Sequence, residues 1–148
     1  MSKTSDSFSN DCAEIRAALA AFPTVTAKTP YRPGGWTRRQ VLGHMIDSAT
    51  NNHQRFVRAA LDGQYVGPGY AQDAWVEIHG YADHPWETLL ELWVAVHAML
   101  ERVVSRIPEE RLDVVCVIGD GAPVTLQFLI DDYIAHQRHH LEQIRRGV

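Results

Sequence analysis

Residues 125–146 read TLQFLIDDYIAHQRHHLEQIRR, and this stretch decides how the rest of the chain is interpreted. Its apolar residues recur at the three- and four-residue spacing of an amphipathic helix that begins after Thr125, a good N-cap. His136 and His140 lie one turn apart along one edge of the buried stripe, whereas His139 points away from both. The stripe itself is predicted to consist of Leu126, Leu129, Ile130, Tyr133, Gln137, Leu141 and Ile144.

Three further helices are predicted upstream, at about 6–22, 37–61 and 83–107. Thr37 and Gln40 form a capping-box pattern at the start of the second of these helices. Pro85 suits the first turn of the third helix, and Pro108 marks its end. Four amphipathic helices in 148 residues predict one all-α domain over residues 1–148, folded as a four-helix bundle.

Two long connections separate these helices. Residues 64–84 carry Tyr65, Tyr70, Trp75 and Tyr81, so we expect this segment either to cover a site as a lid or to pack across the bundle end. A short helical piece is expected within it, near residues 72–78. The second connection precedes the last helix, and its valine-rich run at 114–118, followed by Gly-Asp-Gly, predicts a small β-hairpin.

Composition excludes several classes of protein. The net charge is -4 and the basic residues are scattered, which argues against nucleic-acid binding. No run approaches the about 18 apolar residues of a membrane helix, and the N-terminus lacks a signal-peptide pattern. Cys12 and Cys116 do not form a CxxC pair, so we expect two inert thiols in a soluble, cytoplasmic protein.

Eight histidines point to a metal site or to acid–base chemistry. His44 lies on the second helix, on a polar strip with Ser48, Asn51 and Arg55 at the edge of the apolar face. Catalytic metals are usually held by three protein ligands beside an open position. His44, His136 and His140 are therefore the candidate ligands, although spacing alone leaves open that they are separate surface or capping histidines.

Other polar residues on these helices are weaker candidates. Ser48, Arg55 and His97 are candidate pocket residues, but His97 fits a hydrogen-bonded core histidine better, and no general base is assigned. Asp47 and Asp132 are interpreted as exposed helix charges, with a role in orienting a ligand imidazole as the alternative. The remaining histidines are expected at the surface, in loops or at caps: His53, His79, His84 and His139.

Residues 35–48, GWTRRQVLGHMIDS, together with residues 125–144, resemble the two metal-site helices of the DinB/YfiT-like superfamily. Trp75, Tyr81 and Trp93 in the middle of the chain also fit this family. The resemblance implies a four-helix bundle in which His44, His136 and His140 hold Zn, Ni, Fe or Mn. It also implies a homodimer, because dimers are common in the family.

Members of that family include S-transferases that use bacillithiol or mycothiol, a thiol-dependent isomerase and proteins labelled as metal-dependent hydrolases. The resemblance therefore implies transfer of a low-molecular-weight thiol to a small-molecule electrophile. Two alternatives stay open: a hydrolase that uses metal-bound hydroxide, and a non-enzymatic metal-binding bundle in stress response or sensing. Such a resemblance predicts the fold more securely than it predicts the reaction.

Overall fold

The computed structural model describes residues 2–148, which form four long helices, one short helix and three short strands. The elements are α1 (Lys3–Ala21), α2 (Arg38–Asp62), β1 (Tyr65–Gly67), α3 (Gln72–His79), α4 (Trp86–Arg106), β2 (Val115–Ile118), β3 (Val124–Thr125) and α5 (Leu126–Arg145). Both α1 and α2 pack against α4 and α5. The predicted four-helix bundle is confirmed, and the short helix expected in the first connection is α3.

Capping side chains set where the helices begin. Thr37 accepts a hydrogen bond from the Gln40 backbone while the Gln40 side chain accepts one from the Thr37 backbone, which completes the predicted capping box of α2. Thr125 caps α5 as predicted, by accepting from the Phe128 backbone. The Ser2 side chain caps α1, so that helix begins earlier than the expected Asp6.

The strands form a small sheet in the order β1-β2-β3. The predicted hairpin is present, since β2 and β3 pair antiparallel with Val115 opposite Thr125. A third strand, β1, is not predicted from the sequence, and it pairs parallel to β2 with Tyr65 opposite Cys116. A strand of three residues is too short to show an alternating pattern. Its pairing fastens the first long connection to the segment that leads into α5.

Helix α5 is held in the bundle by its predicted apolar stripe, whose seven members are all buried. Among them, the fully buried Gln137 accepts a hydrogen bond from the Trp93 indole at 3.0 Å and donates one to the Met45 carbonyl at 3.0 Å. Buried polar groups that find partners in this way fix one arrangement of the helices. Gln137 thereby sets the position of α5 against both α2 and α4.

A second buried polar contact lies at the end of α5. The guanidinium of Arg38, in the first turn of α2, donates to the Ile144 carbonyl at 2.7 Å and to the Arg146 carbonyl. It also donates to the Thr29 hydroxyl at 2.7 Å and to the Pro30 carbonyl at 3.2 Å. Carbonyls at a helix C-terminus lack partners within the helix, and a cation there is favourable. Arg38 therefore joins the start of α2 to the end of α5.

None of the helices in residues 2–148 is both long and apolar enough to cross a lipid bilayer.

Candidate metal centre

Two of the three candidate ligands are in contact. The imidazole ring of His44 on α2 lies 4.6 Å from that of His140 on α5, in an edge-to-face arrangement of 86°. His44 is buried, and the Trp36 ring covers it from another side at 5.0 Å. The indole that precedes the α2 capping box thus shields one ligand candidate from water.

These two imidazoles are held in the neutral state that metal ligation requires. Burial, together with the smaller effects of the nearby His140 and His136, lowers the pKa of His44 to about 4. Burial also lowers the pKa of His140. The His140 Nδ1 atom lies 2.9 Å from the Gln143 amide oxygen, which can only accept, so Nδ1 carries the hydrogen and Nε2 keeps its lone pair.

His44 shows a further feature of an incomplete site. Its Nδ1 atom is buried and has no hydrogen-bond partner among the described residues. A buried polar atom without a partner is uncommon in native proteins and calls for an explanation such as an ion or a water. The donor set of neutral imidazoles, one of them unsatisfied, fits a divalent transition metal.

His136, the third candidate, differs from the other two because its side chain is 62% exposed. Its Nδ1 atom lies 3.6 Å from the Asp132 carboxylate one turn earlier, a position from which the carboxylate can orient the ring. Within residues 2–148, no group of three or more His, Cys, Asp or Glu side chains is gathered into a finished metal-binding set. The structure thus forms the His44–His140 pair and places His136 beside it.

A cavity of about 280 Å³ unites the three candidates, and we call it the histidine chamber. Besides them it is lined by Ser48, Tyr70, Gln72 and His139. A larger cavity of about 410 Å³, the arginine chamber, shares Ser48, Tyr70, Gln72 and His136 with it. The other walls of the arginine chamber include Asn52, Arg55, Ile118, Val124, Leu129, Asp132 and Tyr133. Because four residues line both, the two chambers adjoin.

The sequence-predicted pocket residues fall in different places. Ser48 lines both chambers and Arg55 lines the arginine chamber. Tyr70 and Gln72 come from the long aromatic connection, so part of that segment does cover the site. His139 is exposed, in agreement with its predicted direction away from His136 and His140, but its ring lies 5.3 Å from that of His140 and also lines the histidine chamber.

His97 lines neither chamber and lies buried in the core. Its Nδ1 atom is 2.8 Å from the Trp93 carbonyl, which can only accept, so Nδ1 is the donor. Its Nε2 atom, 2.6 Å from the Tyr133 hydroxyl, therefore accepts from that group. Burial lowers the pKa of His97 to about 4. This histidine supports Tyr133, a wall of the arginine chamber, from behind.

The expectation that Asp47 is an exposed helix charge is wrong, because its side chain is buried. The Tyr81 hydroxyl donates to one carboxylate oxygen at 2.6 Å, and His79 Nδ1 lies 3.4 Å from the same oxygen. Burial raises the pKa of Asp47. Tyr81 reaches it only because Gly43 has no side chain, since a Cβ there would lie 2.1 Å from the Tyr81 ring. The sequence does contain a signal for this close contact, because a glycine inside a helix often marks a position where another group packs closely.

Neither cysteine contributes to the chambers. Cys12 and Cys116 are free thiols and both are buried. Burial raises the pKa of Cys12 to about 12 and also raises that of Cys116. A thiol that stays protonated is a poor nucleophile. Both chambers are lined by imidazole, hydroxyl and amide groups, and the arginine chamber adds a carboxylate and a guanidinium. Neither chamber is lined by a cysteine or a lysine.

Known proteins resemble this chain in sequence. A relative in Bacillus cereus named "Putative metal-dependent hydrolase" is 28% identical over 131 residues, which are 88% of this chain and 75% of the relative. A relative of the same type in Oceanobacillus iheyensis is 30% identical over 118 residues, covering 78% of this chain and 66% of the other.

Solved structures resemble it in fold. YfiT from Bacillus subtilis, described as a probable metal-dependent hydrolase with an unusual four-helix bundle topology, aligns with a TM-score of 0.86 at 25% identity. That alignment covers 98% of this chain and 86% of YfiT. A mycothiol-dependent maleylpyruvate isomerase aligns with a TM-score of 0.80 over 99% of this chain and 61% of the isomerase, but at 13% identity this likeness shows the fold alone.

The sequence model of the DinB superfamily matches residues 8–144, which include most of α1, all of α2 to α4, α5 up to Ile144 and all three candidate ligands. Together with the structural likeness to YfiT, this match shows that the chain belongs to the DinB superfamily.

Proposed function

We propose that this protein is a metal-dependent enzyme that transfers a low-molecular-weight thiol to a small electrophile. His44, His136 and His140 would hold one divalent transition metal, Zn, Ni, Fe or Mn. The observation that carries the proposal is the pair of adjoining chambers, one bordered by the three histidines and the other by Arg55. Two chambers with a common wall suit a reaction of two small molecules.

The metal assignment has two supports. The relatives in Bacillus cereus and Oceanobacillus iheyensis carry metal-dependent names. In this chain, the contact between His44 and His140, their neutral state and the unpaired Nδ1 of His44 suit a bound cation. A divalent ion on three neutral imidazoles keeps its full charge and open positions, so it can lower the pKa of a bound proton donor and polarise an electrophile.

The nucleophile is assigned to the thiol substrate because neither chamber contains a cysteine or lysine. In the transfer, the S–H bond of the thiol and the bond from carbon to the leaving group break. A bond from sulfur to carbon forms, and the proton departs with the leaving group. Burial raises the pKa of Tyr70, so its phenol stays protonated in the wall shared by both chambers and can donate a hydrogen bond to either reactant.

Hydrolysis is the second candidate, favoured by the description of YfiT as a probable metal-dependent hydrolase. Water would then replace the thiol as nucleophile in the same chambers. The two candidates differ in what they require, since hydrolysis proceeds without any thiol and transfer does not.

The discriminating experiment measures product formation by the full-length chain, loaded with Zn or Ni or treated with a chelator. A panel of activated esters and chloronitroarenes is offered with and without thiols, bacillithiol and mycothiol included. We expect metal-dependent formation of thioethers from the chloronitroarenes and of thioesters from the activated esters, which is lost in His140→Gln and retained in His53→Gln, because His53 lines neither chamber. Metal-dependent hydrolysis without thiol would establish the second candidate instead. Metal binding with no turnover would contradict both and leave a non-enzymatic role.

A further inference from the structure

We infer that Arg55 is a recognition site for a carboxylate group, so that one of the two reactants is an anionic small molecule seated in the arginine chamber. This inference rests on the proposed function for the reaction, but the binding it describes is testable without any turnover.

Arg55 is a buried cation without a counter-ion among the described residues. Its side chain is 9% exposed, although arginine is seldom buried unless it is paired. In the described chain, no acidic side chain lies within ion-pair distance of it. Within residues 2–148 its side chain makes one hydrogen bond, a long one from Nη2 to the Pro68 carbonyl at 3.3 Å. Most of its five N–H donors are therefore left for a ligand.

Arg38, on the same helix, shows how this fold satisfies a buried arginine that has a structural role. Arg38 is 6% exposed and donates to four oxygen atoms: the carbonyls of Ile144, Arg146 and Pro30 and the hydroxyl of Thr29. Arg55 is buried to a similar degree and lines a cavity of about 410 Å³ instead. The contrast indicates that Arg55 is kept for a molecule that enters the chamber.

The surroundings of Arg55 define the ligand further. A guanidinium presents a planar fork that matches a carboxylate with two parallel hydrogen bonds. The Asn52 amide and the Tyr70 phenol line the same chamber as further polar groups. Ile118, Val124 and Leu129 supply apolar walls, so the ligand should combine a carboxylate with a compact apolar body.

The arginine chamber also contains one carboxylate, that of Asp132. This carboxylate lies 3.6 Å from His136 and makes no ion pair with Arg55. An entering anion is repelled by Asp132 and attracted by Arg55. We therefore expect its carboxylate at Arg55 and its reactive part toward the wall shared with the histidine chamber.

The binding test uses the full-length chain, treated with a chelator or reloaded with Zn, and compares 3-phenylpropionate with its neutral amide by calorimetry and NMR. We expect the wild-type chain to bind the acid more tightly, and Arg55→Met to weaken acid binding by about 10- to 100-fold with little effect on the amide. Arg58→Met is the matched control, because Arg58 is an exposed neighbour on α2 that lines neither chamber. Arg55→Lys, which keeps the charge without the fork, should restore part of the preference. Unfolding curves for all variants exclude a loss of fold.

A kinetic test identifies which reactant carries the carboxylate. It pairs 4-chloro-3-nitrobenzoate with its amide as electrophiles, and 3-mercaptopropionate with its amide as thiols. If Arg55 binds the electrophile, Arg55→Met raises KM for the nitrobenzoate alone; if it binds the thiol, KM rises for the mercaptopropionate alone.

Equal binding of acid and amide by the wild-type chain, or an unchanged preference in Arg55→Met, would overturn the inference. Acid preference without any turnover would support it while contradicting the proposed reaction. Turnover without acid preference would support the proposed reaction and contradict the carboxylate site at Arg55. The two failures are therefore distinguishable.

Discussion

The imidazole of His44 on α2 meets the imidazole of His140 on α5 edge to face at 4.6 Å, although the two residues lie far apart in the chain. Two buried polar side chains produce this contact. Gln137 ties α5 to the Met45 carbonyl, next to His44, and Arg38 ties the start of α2 to the end of α5. The candidate metal centre is thus positioned by hydrogen bonds that lie outside it.

Replacing Arg38 should therefore weaken both the fold and the site. Arg38→Met leaves the carbonyls of Ile144 and Arg146 without this donor, so we expect the free energy of unfolding to fall by about 2–4 kcal/mol. Urea unfolding measures the loss. Arg145→Met is the control and should change stability by less than about 0.5 kcal/mol, because Arg145 makes only an exposed ion pair with Glu142. Equal stability of the two variants would refute this role for Arg38.

Gly43 offers a test in which the sign of the effect is informative. At an open helical position, Gly→Ala gains about 1 kcal/mol from helix propensity. At Gly43 the added methyl would lie 2.1 Å from the Tyr81 ring, so we expect Gly43→Ala to destabilise the fold by about 1–3 kcal/mol instead. Thermal or urea unfolding gives the value.

The matched control for Gly43 removes the obstacle. In a chain that already carries Tyr81→Ala, adding Gly43→Ala should stabilise the protein, because the ring no longer blocks the methyl group. A destabilising effect of the same size in both backgrounds would mean that Tyr81 is not the cause.

The burial of His97 should make the free energy of unfolding depend on pH. Its pKa is about 4 in the folded chain, against 6.5 for an unperturbed histidine, because burial disfavours the charged ring. Between these values the unfolded state binds the proton and the folded state does not. The neutral His97 ring therefore makes its full contribution to the free energy of unfolding above pH 6.5. That contribution is lost as the pH falls toward 4, and the loss is about 3 kcal/mol at most.

The measurement is urea unfolding at several pH values between 4 and 7. His97→Gln should be less stable than the wild type at pH 7 but should lose less stability on acidification. His44 contributes in the same pH window, because its pKa is also lowered to about 4, so some slope should remain in the variant. Parallel curves for the two proteins would show that His97 is not the titrating group.

Much of this fold follows from local signals in the sequence. Periodic apolar residues and the caps at Thr37 and Thr125 predict the long helices, because each signal acts within one or two turns. The buried Asp47 and the strand β1 escape such reasoning. Both depend on partners distant in sequence, Tyr81 for the carboxylate and β2 for the strand.

The candidate site divides in the same way. Helix periodicity places His136 and His140 on one face, but spacing alone cannot show that His44 reaches them, because that contact depends on how two helices pack. Nor can it separate Arg38 from Arg55, two buried arginines of one helix. Their difference appears only in their hydrogen-bond partners, four for Arg38 and one for Arg55.

The most direct test of the three-histidine metal site is the metal affinity of single-histidine variants, measured by competition with a chromogenic chelator for Zn and Ni. We expect His44→Gln, His136→Gln and His140→Gln each to weaken metal binding by more than about 100-fold, beyond the usual cost of losing an orienting partner. His139→Gln, which alters an exposed neighbour in the same chamber, should retain nearly wild-type affinity. Wild-type affinity in His44→Gln, or a loss in His139→Gln as large as in His140→Gln, would contradict the assigned ligand set.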